Sequence, residues 1–419
     1  MYSYRIVCAL VALTIGVAVM AQNNTNSPYT RYGLGELREP GFGRSQAMGG
    51  IGFGVRDHAS INPANPASYS AIDSMTFLFD LGISGLASHF NDASGSRSTH
   101  NGNLDYLAMQ MPLSKFMGAS IGVIPYSFTG YDYSLSGITP VNGLSDTINY
   151  IQQYNGSGGI SQIYGGLSFR LFKHISLGAN AIYLFGSNSY NRALSIGDIS
   201  NTSLTTHSTS EKISIDVNSF NVRLGAQVFG KISKKGYLTV GAMFEPKMNL
   251  HGTYDKVILG LDSTKDALTS HSFETPMQFG VGTSYTYDNR LTLGADFLYQ
   301  KWGDAKYFGQ TGALKNRTKI SVGGEYIDNP YGKTYFQRMS FRFGAYYSDS
   351  YINVNGYTPS QMAVTCGFGF PLRSSKSMIN TSFEYGVKGK STTTSIKENY
   401  FRFTLGLSLN EVWFFKRKL

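Results

Sequence analysis

Residues 271–303, HSFETPMQFGVGTSYTYDNRLTLGADFLYQKWG, alternate between two kinds of side chain. Met277, Phe279, Val281, Thr283, Tyr285 and Tyr287 share one face of an extended strand, while Gln278, Gly280, Gly282, Ser284 and Thr286 share the other. Asp288-Asn289 supplies turn chemistry with no room for a loop. The return limb puts Leu291, Leu293, Ala295, Phe297 and Tyr299 on one face and Arg290, Thr292, Gly294, Asp296 and Gln300 on the other. The pattern predicts a β-hairpin. Both limbs exceed the roughly 9–11 residues that a tilted strand needs to cross a bilayer, whereas a soluble strand is about 5–6 residues long. Long strands that are apolar on one face and small or polar on the other predict a transmembrane β-barrel.

The alternation recurs from residue 75 onward. Strands are predicted at 75–88, 103–112, 116–131, 158–172, 174–190, 213–231, 236–253, 271–287, 289–302, 315–327, 336–350, 359–371, 376–388 and 397–414, about fourteen in all, an even number as bacterial barrels use. Links after odd-numbered strands are mostly long (88–102, 132–157, 191–212, 254–270, 303–314). Links after even-numbered strands are mostly short (113–115, 173, 232–235, 288). Short turns on the periplasmic side and long loops outside are the expected barrel pattern, and it places both termini in the periplasm. No helix separates the strands, so the sheet is expected to be an antiparallel meander.

Residues 22–74 break the pattern. They are rich in Gly, Pro, Asn and Ser, yet carry Tyr29, Tyr32, Phe42, Phe53 and Tyr69. Such a segment ahead of a barrel is either a disordered tail or a plug folded into the lumen, and its aromatics favour the plug. The first residues read as a secretory signal, with one charge at Arg5, an apolar run over 6–20, and a cleavage site at Val19-Met20-Ala21. The expected division is a signal peptide over 1–21, a hatch or plug over 22–74, and a barrel over 75–419. Cys8 lies inside the apolar run, which argues against lipoprotein acylation. Cys366 then remains alone, so no intrachain disulfide is expected.

Composition agrees with a barrel. Among 419 residues there are 48 Gly, 29 Tyr and 27 Phe, but only 15% are charged, against roughly 25% in soluble proteins. Mean hydropathy is −0.16, which excludes a helical membrane protein. The alternative for such a composition is a large secreted β-sandwich. The formal charge of +10 comes from scattered residues with no nucleic-acid motif, so it suggests outer-membrane lipid and lipopolysaccharide as partners, the alternative being a merely soluble basic surface.

The inward face is unusually small, with Gly118, Gly178, Gly225, Gly241, Gly280, Gly282, Gly344 and Gly367 on it. Glycine weakens a strand and often marks close approach by another backbone, as a plug would provide. The few inward charges, among them Asp80, Arg170, Arg223, Lys319, Glu325, Glu384 and Arg402, need partners and suggest plug-to-wall ion pairs. Ile124, Phe128, Ile182, Leu184, Phe229 and Leu298 also point inward and are candidates to line a lumen pocket, or else to pack against the plug. Pro125 stands inside the third strand, where it cannot donate a ladder hydrogen bond, and Gly130 is a second weak point. These two are candidates for a lateral gate; the alternative is a simple bulge. The final strand ends on Trp413-Phe414-Phe415 and a basic tail, suited to a barrel-assembly signal.

Three stretches resemble the FadL family of outer-membrane transport proteins. Ile61-Asn62-Pro63-Ala64-Asn65-Pro66-Ala67 is similar to the family's Asn-Pro-Ala motif between hatch and barrel, which makes Asn62, Pro63 and Ala64 the hatch motif. Gly118 to Tyr126 is similar to the third strand with its Pro-aromatic step. Residues 275–302, from Thr275-Pro276 to Lys301-Trp302, give the most specific match. The style of the sequence, including its Trp-Phe-Phe-Lys ending, resembles a Bacteroidota member. The resemblance implies a fourteen-stranded barrel, an N-terminal hatch and uptake of hydrophobic molecules such as long-chain fatty acids, with a kinked third strand offering a sideways exit. It also leaves room for a second role, because the same fold serves as a partner-binding barrel in secretion and barrel-assembly complexes.

No catalytic or cofactor chemistry stands out. The seven His fall mostly in predicted loops or turns, and there is no His-Glu-x-x-His or Cys-x-x-Cys. Residues 49–54, GGIGFG, lack the strand and helix that a nucleotide site requires. The reading is a non-enzymatic outer-membrane channel, without cofactor or metal, for passive uptake of small hydrophobic molecules. The alternative is a structural or partner-binding barrel.

Overall fold

The computed structural model describes residues 24–92, 95–140, 147–198, 207–259, 264–268, 272–354, 356–372, 377–391 and 395–412. The expected signal peptide and the ending from Trp413 onward lie outside the described residues.

Fourteen strands form the wall: β1 (Thr76–Asn91), β2 (Ser96–Ser114), β3 (Met117–Pro140), β4 (Thr147–Leu171), β5 (Ile175–Asp198), β6 (His207–Lys231), β7 (Gly236–Glu245), β8 (Gln278–Tyr287), β9 (Leu291–Gln300), β10 (Arg317–Ile327), β11 (Ser340–Asp349), β12 (Ser360–Pro371), β13 (Met378–Lys388) and β14 (Lys397–Val412). Each pairs antiparallel with its neighbours in sequence, and β14 closes on β1 from Lys397 opposite Asn91 to Val412 opposite Thr76. Closure leaves no strand of the barrel without a partner on either side, although β2 and β3 pair over only part of their lengths. No helix among the described residues is long and apolar enough to cross a membrane.

The side-chain alternation decides which face meets lipid. Val322, Ala345, Val364, Tyr385 and Phe401 stand opposite one another in a single outward row across β10 to β14. Val322, Val364, Tyr385 and Phe401 are all exposed. Cys366 shares this face, opposite Phe343 on one side and Phe383 on the other. The β8–β9 turn is as the sequence predicts. Asp288 and Asn289 both have positive φ (55° and 54°), as a two-residue hairpin turn of type I′ requires. The Arg290 amide closes it on the Tyr287 carbonyl at 3.0 Å.

Several boundaries differ from the sequence pattern. The predicted loops 132–157 and 191–212 are largely strand, because β3 to β6 each run to 24 or 25 residues. Their polar composition is that of a sheet extending beyond the bilayer, where neither face meets lipid. The extension bends at Gly158 and Gly186, whose φ of 125° and 137° excludes a Cβ. The predicted strands 236–253 and 271–287 are each interrupted, at Pro246 and Pro276, since proline cannot serve the ladder. Pairing resumes beyond, with Gly252–Leu259 against β6 and Met248–Asn249 against Glu274–Thr275.

Residues 24–73 make their contacts on the inward side of the wall. They include two 3-10 turns, Pro28–Arg31 and Pro66–Ala71, a short helix at Gly43–Gln46, and a two-residue strand at Glu36–Leu37. Tyr69 is fully buried and donates its hydroxyl to Asn180 Oδ1 at 3.1 Å. Asn65 accepts from the Ala67 amide at 3.1 Å, capping Pro66–Ala71, and donates to the carbonyls of Phe53 (2.8 Å), Ala226 (3.2 Å) and Ala242 (3.3 Å). The inward glycines make room for this backbone. A Cβ on Gly241 would collide with the Phe53 carbonyl, and one on Gly344 with the backbone of Met48 and Gly49.

Candidate functional site

The centre of the lumen is bound together by charge. Glu39 takes Arg317 at 2.8 Å and Lys319 at shorter range. Arg44 bridges Asp57 to Glu325 (2.6 Å to the latter), and Glu325 also accepts from Arg342 Nε at 2.6 Å. Glu36 lies 3.8 Å from Arg402 and 3.9 Å from Lys388, and Arg402 holds Glu384 at 3.0 Å. Burial raises the Glu39 carboxyl, but Lys319 and Arg317 more than offset this and hold it at about 2. Asp57, also raised by burial, is brought down to about 2 chiefly by Arg44. Every one of these pairs except Arg342–Glu325 and Arg402–Glu384 joins residues 36–57 to the wall or to one another. A cavity of ≈ 130 Å³ remains between them, bordered by Glu36, Arg38, Glu39, Gln278, Gln300, Arg317, Lys319, Glu384 and Arg402.

The second feature is a seam in the wall. The β2–β3 ladder runs from Ser114 opposite Met117 to Leu107 opposite Val123 and stops there. Two residues on, register shifts between Pro125 and Ser127 against β4, which leaves Tyr126 as a bulge. Beyond the bulge residues 24–38 fill the space between β2 and β3. Glu36 and Leu37 pair antiparallel with Phe128 and Ser127. Arg38 donates its amide to the Tyr126 carbonyl at 2.8 Å and its guanidinium to Asp105 Oδ1 at 3.3 Å. Asn26 donates to Asn101 Oδ1 (3.1 Å), and Asn103 donates to the Asn24 carbonyl (3.1 Å). Thr30 Oγ1 donates to the Gly130 carbonyl at 3.0 Å and lies 3.1 Å from the Gly130 amide.

The residues singled out from sequence fall in distinct places. Asn62 donates to the carbonyls of Gly52 (2.7 Å) and Val55 (3.0 Å), the Pro63 carbonyl accepts from Arg223 at 3.0 Å, and Ala64 packs with Phe53, Met243 and Leu298. Pro125 and Gly130 both lie along the seam. The six apolar candidates are all buried, but they do not share one cavity. Ile124, Ile182 and Leu184 belong to an apolar cluster with Tyr29, Leu34 and Phe42 of the N-terminal segment. Phe128 stands opposite Glu36, Phe229 lies 4.0 Å beneath the Arg56 guanidinium, and Leu298 alone of the six borders the central cavity. Sequence reasoning missed the N-terminal half of the ion pairs: Glu36, Arg38, Glu39, Arg44 and Asp57. The available signal was a cluster of charges, ELRE, followed by Arg44, Arg56 and Asp57 in a Gly-rich stretch.

The described strands form a closed fourteen-stranded antiparallel barrel, the fold of FadL-type barrels. Its fold is similar to that of a Pseudomonas aeruginosa FadL homologue (13% identity over 91% of this chain and 100% of that one, TM-score 0.58). It is similar too to the Pseudomonas putida toluene transporter TodX (16%, 91% and 100%, 0.57) and the Ralstonia pickettii toluene transporter TbuX (14%, 88% and 98%, 0.56). No curated protein matches the sequence. The chain belongs to the BamG family, whose model matches residues 3–419.

Proposed function

We propose that the protein is an outer-membrane channel for passive uptake of small hydrophobic molecules, held closed in this state by residues 22–74 acting as its hatch. The observation that carries this reading is the seam at Pro125, where two adjacent wall strands stop pairing and the N-terminal segment lies between them. A hydrophobic molecule released there would meet lipid instead of water. The likeness in fold to barrels named as toluene transporters supports it, and long-chain fatty acids are a finer candidate. Short turns at 232–235 and 288–290 share a rim with the start of β1 and the end of β14, so we place that rim and both termini in the periplasm. The style of the sequence fits a Bacteroidota source.

A second reading, a structural or partner-binding barrel of a secretion or barrel-assembly complex, is favoured by the character of the lumen. The central cavity mixes charged and amide side chains with apolar ones such as Phe53, Met243 and Leu298, whereas hydrophobic-ligand pockets are lined mainly by apolar side chains with a few polar groups. One experiment separates the two. Vesicles containing the purified full-length barrel, or the barrel lacking residues 24–70, are loaded passively with toluene or a labelled fatty acid. Faster entry than in protein-free vesicles, increased by the deletion and accompanied by new ion conductance, supports the channel. No added entry in either case, with both barrels folded by heat-resistant migration on a gel, overturns it and leaves the structural reading.

A further inference from the structure

The cavity at the short-turn rim is different in kind from the central one. It has a volume of ≈ 910 Å³, within the roughly 300–1,000 Å³ of ligand pockets. One side is lined by Arg56, Arg170, Phe229, Lys231, Lys234 and Tyr237. Alternation along β4, β6 and β7 turns Arg170, Lys231 and Tyr237 inward at the ends of their strands, and Arg56 comes from the N-terminal segment.

The charges here do not balance. Arg56 donates to the Ala67 carbonyl (3.0 Å), Gln227 Oε1 (3.3 Å) and Ser70 Oγ (3.0 Å), and stacks on Phe229. All of these partners are neutral. The Arg170 guanidinium donates to the Lys115 carbonyl. Among the described residues neither arginine, nor Lys231 or Lys234, has a carboxylate partner. Of the four acids on the same cavity, three are engaged by other cations: Asp57 by Arg44, Glu325 by Arg44 and Arg342, and Asp288 by Lys235 at 2.8 Å. The fourth, Asp80, accepts from the Ile61 amide at 3.4 Å and has no cation partner among the described residues, so the cations still outnumber the acids. Burial, with repulsion from Arg170 adding to it, holds Arg56 down at about 10 despite the nearby Tyr237. A half-buried cation without a counter-charge is costly, and a bound anion would relieve the cost.

We propose that this rim cavity binds an acidic segment of a partner polypeptide, with one carboxylate on Arg56 and Arg170 and further acids on Lys231 and Lys234. The wall strands separate the cavity from lipid, so its ligand arrives from water. Its volume exceeds that of one carboxylate, and its cations run from half-buried Arg56 outward to the turn at Lys234. Tyr331, which is 89% exposed, and Pro330 border the same cavity and offer apolar contacts to a ligand long enough to span it. The inference rests on the barrel orientation given above only for the compartment of the partner, which is then the periplasm.

The test uses the full-length protein in neutral detergent and a short fluorescein-labelled peptide of alternating Glu and Ala, read by fluorescence anisotropy. The Glu peptide is expected to bind with an affinity that falls as salt rises, and its Gln/Ala analogue is not. Lys231→Ser with Lys234→Ser, both on the exposed rim, should weaken binding roughly tenfold, the scale of lost charge-assisted hydrogen bonds. Arg56→Gln should weaken it further; because Arg56 also holds Ala67 and Ser70, the lysine variant is the primary arm. Equal binding of the two peptides, or unchanged affinity in a lysine variant that keeps its heat-resistant barrel, overturns the proposal. Displacement of the peptide by equimolar inorganic phosphate overturns it in favour of a small-anion site, and displacement by phosphatidylglycerol alone overturns it in favour of a lipid headgroup.

Discussion

Arg38 reaches Asp105 across a seam where the two strands beside it do not pair. Its guanidinium lies 3.3 Å from the Asp105 carboxylate on β2, and its backbone amide lies 2.8 Å from the Tyr126 carbonyl on β3. One residue of the N-terminal segment thus ties both sides of the opening. Asp105 is almost fully buried, so losing its cation leaves a carboxylate with little water to solvate it.

Arg38→Ala is therefore expected to loosen the seam without unfolding the barrel. A hydrogen bond to a charged group contributes about 1.5–3 kcal/mol, which corresponds to faster local opening. Hydrogen–deuterium exchange should quicken across residues 24–40 and in β3 beyond Val123, while β8 to β13 keep their protection. Equal exchange in the variant and the parent would show that other contacts hold the segment.

Gly241→Val tests the fit between the N-terminal segment and the wall. The added side chain collides with the Phe53 carbonyl and crowds Asn65, and overpacking typically costs about 1–3 kcal/mol. The strand itself should tolerate valine, which favours β structure. The variant should fold as a heat-resistant barrel but release residues 24–73 to added protease at lower temperature than the parent. Identical protease sensitivity would mean the segment is held independently of this contact.

Much of this architecture is legible in the sequence because a bilayer imposes a strict period. Val281, Val322, Val364 and Leu405 alternate with Gly282, Gly323, Thr365 and Gly406, and a one-residue slip would turn every one of them to the wrong face. The wall strands and the Asp288-Asn289 turn follow from that constraint. Above the bilayer the constraint lapses. The outer parts of β3 to β6 alternate between polar residues and Tyr or Ile, which a single sequence does not distinguish from loop. The interior was legible only in part. Inward Lys319, Glu325 and Arg402 announce that something charged must meet them, but which residues of 24–73 do so depends on how an aperiodic segment folds. Alternation turns the six apolar candidates inward, and all six are buried, yet it says nothing of their height along the barrel, and they fall into separate clusters.

Acid should loosen the interior. Glu39 and Asp57 both titrate at about 2 in the folded protein, below the 4.5 and 3.8 of the free groups. A depressed carboxyl contributes its stability above the unfolded value and loses it as pH falls toward the folded one. The N-terminal segment should therefore hold firmly at neutral pH and weaken progressively from about 4.5 down to about 2. Glu39→Gln should remove part of that dependence. Protease release measured across this range, with no more sensitivity at low pH than at neutral, would contradict the role given to these pairs.

Cys366 faces outward between Phe343 and Phe383, and Val364 beside it is exposed to the same side. In an intact outer membrane that side is lipid. A water-soluble maleimide is expected to leave Cys366 unlabelled until detergent or denaturant is added. Rapid labelling in membranes would place this part of β12 away from the hydrocarbon.

Pro125 decides whether the seam serves as an exit. Continuing the β2–β3 register beyond Leu107 and Val123 would set Asp105 opposite Pro125. Proline has no N–H to extend that ladder, and Asp105 is instead taken by Arg38. Pro125→Val restores the missing donor and favours a straighter strand. Pairing should then lengthen toward Asp105, displacing Glu36 and Leu37 from their place against Phe128 and Ser127. If hydrophobic molecules leave sideways through the seam, the variant should lose entry into vesicles while its barrel stays heat-resistant and exchange in β2 slows. Slowed exchange with unchanged entry would mean that the seam closes without consequence for transport. Pro125 would then be a local accommodation to the bulge at Tyr126, and the structural, partner-binding reading would gain the ground that lateral release had held.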